Sequence, residues 1–157
     1  MLVRDGLSST TYLLDPSNRD RKVSLPHLPE ENLSTYCTCV LSEYPEDPAQ
    51  DTSCVVLLVE TDLPVIWYCR IDDEEDWTRH EYDIGTLNLC GCCTEKLVIS
   101  PITSCRGKFY FNGGGFKELG VLEFCPAPVF SFITIRDAIA ELYMVSLVSS
   151  YDLNVVH

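Results

Sequence analysis

Two stretches of this chain repeat one order of strands and turns, and that repeat restricts the fold more than any other feature. Val55-Val56-Leu57-Leu58-Val59, a Glu60-Thr61-Asp62-Leu63-Pro64 turn, Val65-Ile66-Trp67-Tyr68-Cys69-Arg70-Ile71, an acidic loop and Trp77-Thr78-Arg79-His80-Glu81-Tyr82 form one unit. Lys108-Phe109-Tyr110-Phe111, a Gly-rich turn, Leu119-Gly120-Val121-Leu122-Glu123-Phe124, a Cys125-Pro126-Ala127-Pro128 loop and Val129-Phe130-Ser131-Phe132-Ile133 form another. Setting Val56 against Tyr110 gives a period of 54 residues, close to the roughly 50 of a kelch-type blade. One further strand precedes each unit, at residues 36–42 and 103–106. Four antiparallel strands per repeat make the blade of a β-propeller.

The rest of the chain agrees with an all-β reading. The two hairpin turns have the length and the Gly, Asp and Pro content expected between paired strands. No long segment sustains a 3.6-residue apolar period, though residues 136–141 suit a single helical turn and residues 142–147 a last strand. Pro and polar residues make 1–35 read as an extended lead-in with one strand at 11–14, so the propeller domain is placed at 36–157. Residues 142–145 follow Tyr110 too closely for a full blade, which leaves about two blades and part of a third. A closed propeller has about four to eight. The expected fold is therefore an incomplete kelch-like β-propeller.

Charge narrows the partners. The chain has 11 basic and 24 acidic residues, a formal net charge of -13. Such a surface repels phosphate, which argues against nucleic-acid and anionic-membrane binding. No apolar run approaches the roughly 20 residues of a membrane span. Met1–Gly6 has no uninterrupted apolar core for a secretory leader, so a cytoplasmic or nuclear location is expected. The nine cysteines then read as thiols, not as a disulfide framework. Cys37 and Cys39 fall on one strand face by alternation.

Several local patterns have a chemical reading and a plainer one. Asp72, Asp73, Glu74, Glu75 and Asp76 form an acidic run in a loop between strands. It lacks the spaced oxygens and Gly turn of a calcium loop, so it reads as a solvated loop able to meet a basic partner. Cys90-Gly91-Cys92-Cys93 has no ligand pair at zinc spacing and no nearby His. Gly113-Gly114-Gly115 lacks the Lys and helix of a phosphate loop and reads as a hairpin. His27, His80 and His157 show no pattern with a nucleophile, and no Gly-x-Ser-x-Gly elbow occurs. Trp67 and Trp77 sit in strand context, as blade-packing residues do.

Residues 63–71 and 77–85, Cys105-Arg106-Gly107-Lys108-Phe109-Tyr110-Phe111-Asn112 and Leu119–Phe124 together resemble the plant "domain of unknown function 295" family. The lead-in Thr11-Tyr12-Leu13-Leu14-Asp15-Pro16 with Leu25-Pro26 is also similar to it. The resemblance covers most of 11–148 and rests on several diffuse motifs in order. It implies a propeller, often carried behind an F-box, that holds the substrate of a ubiquitin ligase. It supplies no catalytic residues. No F-box-like helix precedes residue 11, so an indirect link to a ligase is all that it implies here.

The expected function is thus a non-enzymatic protein-interaction module, needing no cofactor and no metal. Its expected contacts are the acidic run with Trp77 and Arg79. The alternatives are a propeller that binds a small ligand or catalyses in its central channel, and a truncated copy without function.

Overall fold

The computed structural model describes residues 2–4, 10–15, 22–28, 33–34, 36–43, 54–71, 76–89, 91, 93–113 and 117–135. Every regular element among them is a strand, and every pairing is antiparallel. An N-terminal sheet contains β1 (Leu2–Arg4), β2 (Thr11–Leu14) and β3 (Lys22–Leu25) in chain order. The first blade contains β4 (Cys37–Leu41), β5 (Val55–Glu60), β6 (Val65–Arg70) and β7 (Thr78–Glu81). A hairpin of β8 (Thr86–Leu89) and β9 (Cys93–Lys96) follows. The second blade contains β10 (Ile102–Cys105), β11 (Lys108–Asn112), β12 (Glu118–Phe124) and β13 (Pro128–Thr134).

The two four-stranded sheets are the blades that the repeat requires, and the first strands, β4 and β10, lie in contact. The described sheets do not close into a ring, so the propeller is incomplete. Besides the blades, the described residues hold two smaller sheets, the β8–β9 hairpin and the N-terminal sheet, in which β1 and β3 flank the expected strand at 11–14. The expected helical turn at 136–141 and strand at 142–147 lie outside the described residues.

Strand β5 explains how the sheets hold together. Its sequence, VVLLVE, is apolar on both faces, and all six residues are buried. Alternation sends Val56 and Leu58 to one side and Val55, Leu57 and Val59 to the other. Val56 and Leu58 pack with Val65, Trp67 and Cys69 of β6 and with Leu13 and Leu28 from the N-terminal region. Val55, Leu57 and Val59 pack with Ile66 and with Ile102, Phe109, Phe111 and Leu122 of the second blade. Each such side chain contributes roughly 1.5–3 kcal/mol by leaving water. One strand therefore joins two cores, as in a blade stacked between neighbours.

The register also corrects the period. Leu58, Trp67 and Arg79 stand side by side across the first blade, as Phe111, Gly120 and Phe132 do across the second. From 58 to 111 the spacing is 53 residues, one fewer than the alignment of Val56 with Tyr110. A slip of one residue turns a side chain to the opposite face. Val56 and Leu58 face the N-terminal sheet, so their counterparts are Phe109 and Phe111, which face the preceding blade in the same way.

Burial also sets a pH dependence. It pushes the Cys69 thiol up from 9.0 to about 12, helped by the neighbouring thiols of Cys39 and Cys54. Burial likewise raises the Tyr82 hydroxyl from 10.0 to about 12, partly opposed by the hydrogen bond that its oxygen accepts from the Ile99 N–H at 3.0 Å. Both groups stay neutral in the fold after the unfolded chain has begun to ionise. Their stabilisation is complete below about pH 9 and declines as pH rises towards about 12. Urea midpoints at about pH 8 and about pH 11 should show the loss, and Cys69→Ala with Tyr82→Phe should reduce it, the remainder coming from Cys37 and Cys39, whose thiols burial also raises.

Candidate interaction site

The seam between the two blades opens into a cleft of about 330 Å³ at one rim. Its first wall is the end of β6, with Tyr68, Cys69 and Arg70, together with Asp76 just before β7 and Thr78 at its start. Pro126 and Ala127, in the turn from β12 to β13, form the second wall. Both walls come from the same connection of their blades, third strand to fourth, so the repeat itself brings them together. The volume lies at the low end of the roughly 300–1,000 Å³ of ligand clefts.

Two contacts fix the seam. The Arg70 guanidinium donates from Nη2 to the Pro126 carbonyl at 3.3 Å, which links the blades directly. The Tyr68 ring packs on Phe124 with centroids 4.7 Å apart and a tilt of 57°. Phe124 in turn meets Phe109 edge to face. Aromatic pairs in such geometries add about 0.5–1.5 kcal/mol each beyond area burial. Arg70, Asp76 and Thr78 bring charged and hydroxyl groups to the lining.

The expected contact residues divide by position. Asp76 lines the cleft and is exposed. Asp72, Asp73, Glu74 and Glu75 lie outside the described residues. Trp77 is buried, and its indole N–H donates to the Pro26 carbonyl at 3.0 Å. It ties the chain just before β7 to the N-terminal region and packs in the core with Leu13 and Leu28. Arg79 is exposed on β7 and paired with Glu81, whose carboxyl the guanidinium holds below its usual range.

The other local patterns resolve into structure where they are described. Gly113 belongs to the β11–β12 hairpin, its N–H bonded to the Glu118 carbonyl at 3.1 Å, and Gly114 and Gly115 lie outside the described residues. Cys93 is exposed at the start of β9, while Cys90 and Cys92 are not described. Among the described residues no three His, Cys, Asp or Glu side chains gather as a metal site, and no helix is long and apolar enough to cross a membrane. His80 stacks nearly parallel on Phe130, centroids 6.3 Å apart.

Sequence reasoning overlooked two features of the site. Arg70 read only as the end of a strand, because its partner lies 56 residues away in a loop. The β8–β9 hairpin is absent from the expected strands, since Leu87 and Leu89 alternate over only four residues and β9, Cys93-Thr94-Glu95-Lys96, is exposed throughout. Gly85, with φ of 108°, turns the chain into it.

The model of the KIB1-4 β-propeller family matches residues 1–151. This chain belongs to the KIB1-4 β-propeller family. The match extends across the N-terminal sheet, both blades and the cleft between them, and agrees with the four-stranded repeat. No curated protein and no solved structure matches the chain. Membership of the KIB1-4 family carries the coarser content of the resemblance drawn from the motifs, a β-propeller family.

Proposed function

We propose that this KIB1-4 family chain is a non-catalytic protein-interaction module, and that the cleft at the blade seam is its contact surface. The observation that carries the reading is the cleft itself, with Asp76 on its wall and the acidic run at residues 72–75 next to it in sequence. An extended segment with basic side chains fits this chemistry. Its cations would meet the acidic run, and its backbone carbonyls would accept from Arg70. A guanidinium has five N–H donors, of which the bond to Pro126 occupies one. Arg79 extends the surface along β7, and the buried Trp77 anchors the start of that strand to the Pro26 carbonyl.

A catalytic use of the same cleft has a point against it. Cys69, the one nucleophile of the thiol class in the lining, has its pKa raised to about 12 by burial. An activated thiolate requires the opposite shift.

The narrower reading is that the module acts in the cytoplasm or nucleus as a substrate receptor linked indirectly to a ubiquitin ligase. Its support is the likeness of the quoted motifs to the domain-295 proteins.

The test uses the full chain and an array of lysine- and arginine-rich peptides of about ten residues. Replacing Asp72, Asp73, Glu74, Glu75 and Asp76 by Asn or Gln should weaken binding at least about tenfold and remove most of its salt dependence. Arg70→Ala should weaken the same peptides while leaving the salt dependence in place. Equal binding by the neutralised variant would overturn the assignment of the cleft. Co-precipitation of the full chain with the ligase adaptor tests the narrower reading separately.

A further inference from the structure

The outermost strands of the two blades differ in a way that packing does not require. β7 is four residues long, TRHE, with Arg79 and Glu81 paired along it. Charges on a short edge strand oppose the addition of another strand. β13 is seven residues long, PVFSFIT, and carries no charge. Among the described residues no strand pairs with its outer side. Val129, Phe132 and Ile133 are 49%, 43% and 53% exposed.

The direction of its backbone groups follows from one bond. The Ile135 N–H donates to the Lys117 carbonyl at 2.7 Å, next to the pair Glu118 and Thr134. Bonded and non-bonded pairs alternate along an antiparallel ladder. Val129, Ser131 and Ile133 therefore bond inward to β12, and Phe130, Phe132 and Thr134 turn their N–H and C=O groups outward. Pro128 also faces outward, where its missing N–H costs nothing to the blade.

The strand is nearly symmetric about Ser131. Phe130 and Phe132 flank it, and Val129 and Ile133 lie beyond them. We propose that β13 is a self-complementary edge through which two copies of this chain pair antiparallel, with the two-fold axis at Ser131. In that register Val129 meets Ile133, Phe130 meets Phe132 and Pro128 meets Thr134 of the other copy. Each Phe130–Phe132 pair exchanges two backbone hydrogen bonds, and each Thr134 N–H donates to a Pro128 carbonyl. Such a contact is isologous and closes as a dimer.

The charge pattern makes this strand the place where a second copy can approach with least repulsion. With a net charge of -13, two chains repel across most of their surfaces. β13 is an uncharged strip, and the nearby Glu123 is neutralised by Lys108 at 2.8 Å. A basic peptide finds no carboxylate on this strand to recognise.

Ser131 faces its own copy across the axis, in a non-bonded pair with Cα atoms about 4.5 Å apart. Sedimentation of the full chain should show a concentration-dependent dimer. Ser131→Glu or Ser131→Lys alone should weaken it at least about tenfold, and an equimolar mixture of the two should restore it. Ser131 is exposed, so circular dichroism should show both variants folded. Thr134→Pro, which removes only an outward donor, is the second probe and should weaken the dimer without charge. A chain that stays monomeric at every concentration, as it would if its own later residues or another partner held the edge, overturns the proposal. So does unchanged dimerisation by both charged variants.

Discussion

Trp67→Ala should lower the stability of the chain by about 3–5 kcal/mol, the cost of removing a large buried aromatic side chain. Trp67 is only 3% exposed and packs in the core shared by the first blade and the N-terminal sheet. It also has a polar task. Its indole N–H donates to the Glu60 carboxylate at 2.8 Å, and Glu60 is itself 1% exposed. A buried carboxylate must keep its donors, because an unpaired one bears the full cost of desolvation. Trp67→Phe keeps most of the apolar contact and removes the donor, so it should cost about 1–3 kcal/mol. Against a total stability of about 5–15 kcal/mol, the alanine variant should melt far below the wild type. Urea denaturation followed by circular dichroism gives both values. A wild-type midpoint for Trp67→Phe would show that the indole–carboxylate bond does nothing for the fold.

Gly120→Ala should cost about 1–3 kcal/mol, as an overpacked core position does. A Cβ at Gly120 would lie 2.2 Å from the Phe111 ring, which is itself buried. The corresponding pair in the first blade reverses the sizes. There Trp67 lies across from Leu58, whereas here Gly120 lies across from Phe111. Each blade thus fills the same layer with one large ring, contributed by opposite strands. Shortening the ring should relieve the clash, so Phe111→Leu combined with Gly120→Ala should lose less than the sum of the two single changes. Additive losses, or an unchanged melting temperature for Gly120→Ala, would contradict this packing.

Much of the fold was legible because the blades repeat. The apolar run of β5 signals a strand covered on both faces, and the turns at Thr61–Pro64 and after Asn112 separate strands of matching length. The exact register was not legible, since a spacing of 53 or 54 residues aligns apolar positions equally well and only the faces distinguish them. β1 and β3 escaped notice because they are short, and β3 alternates half-buried with exposed residues. Glu60 read as a turn residue, and its burial depends on Trp67 supplying a donor from the next strand. At the site, the acidic loop was visible as a run of like charges. The cleft was not, because Arg70 and Pro126 meet only when two blades stack.

The account rests on β5 as the strand that joins two cores. Hydrogen exchange on the full chain tests this most directly, because a central strand opens only with the whole fold. The amides of Val56 to Val59 should be among the slowest to exchange, with a protection that matches the urea stability and falls with it in Trp67→Ala and in Gly120→Ala. If those amides exchange as fast as exposed positions of β8 and β9, the blades do not stack around β5 and the account fails.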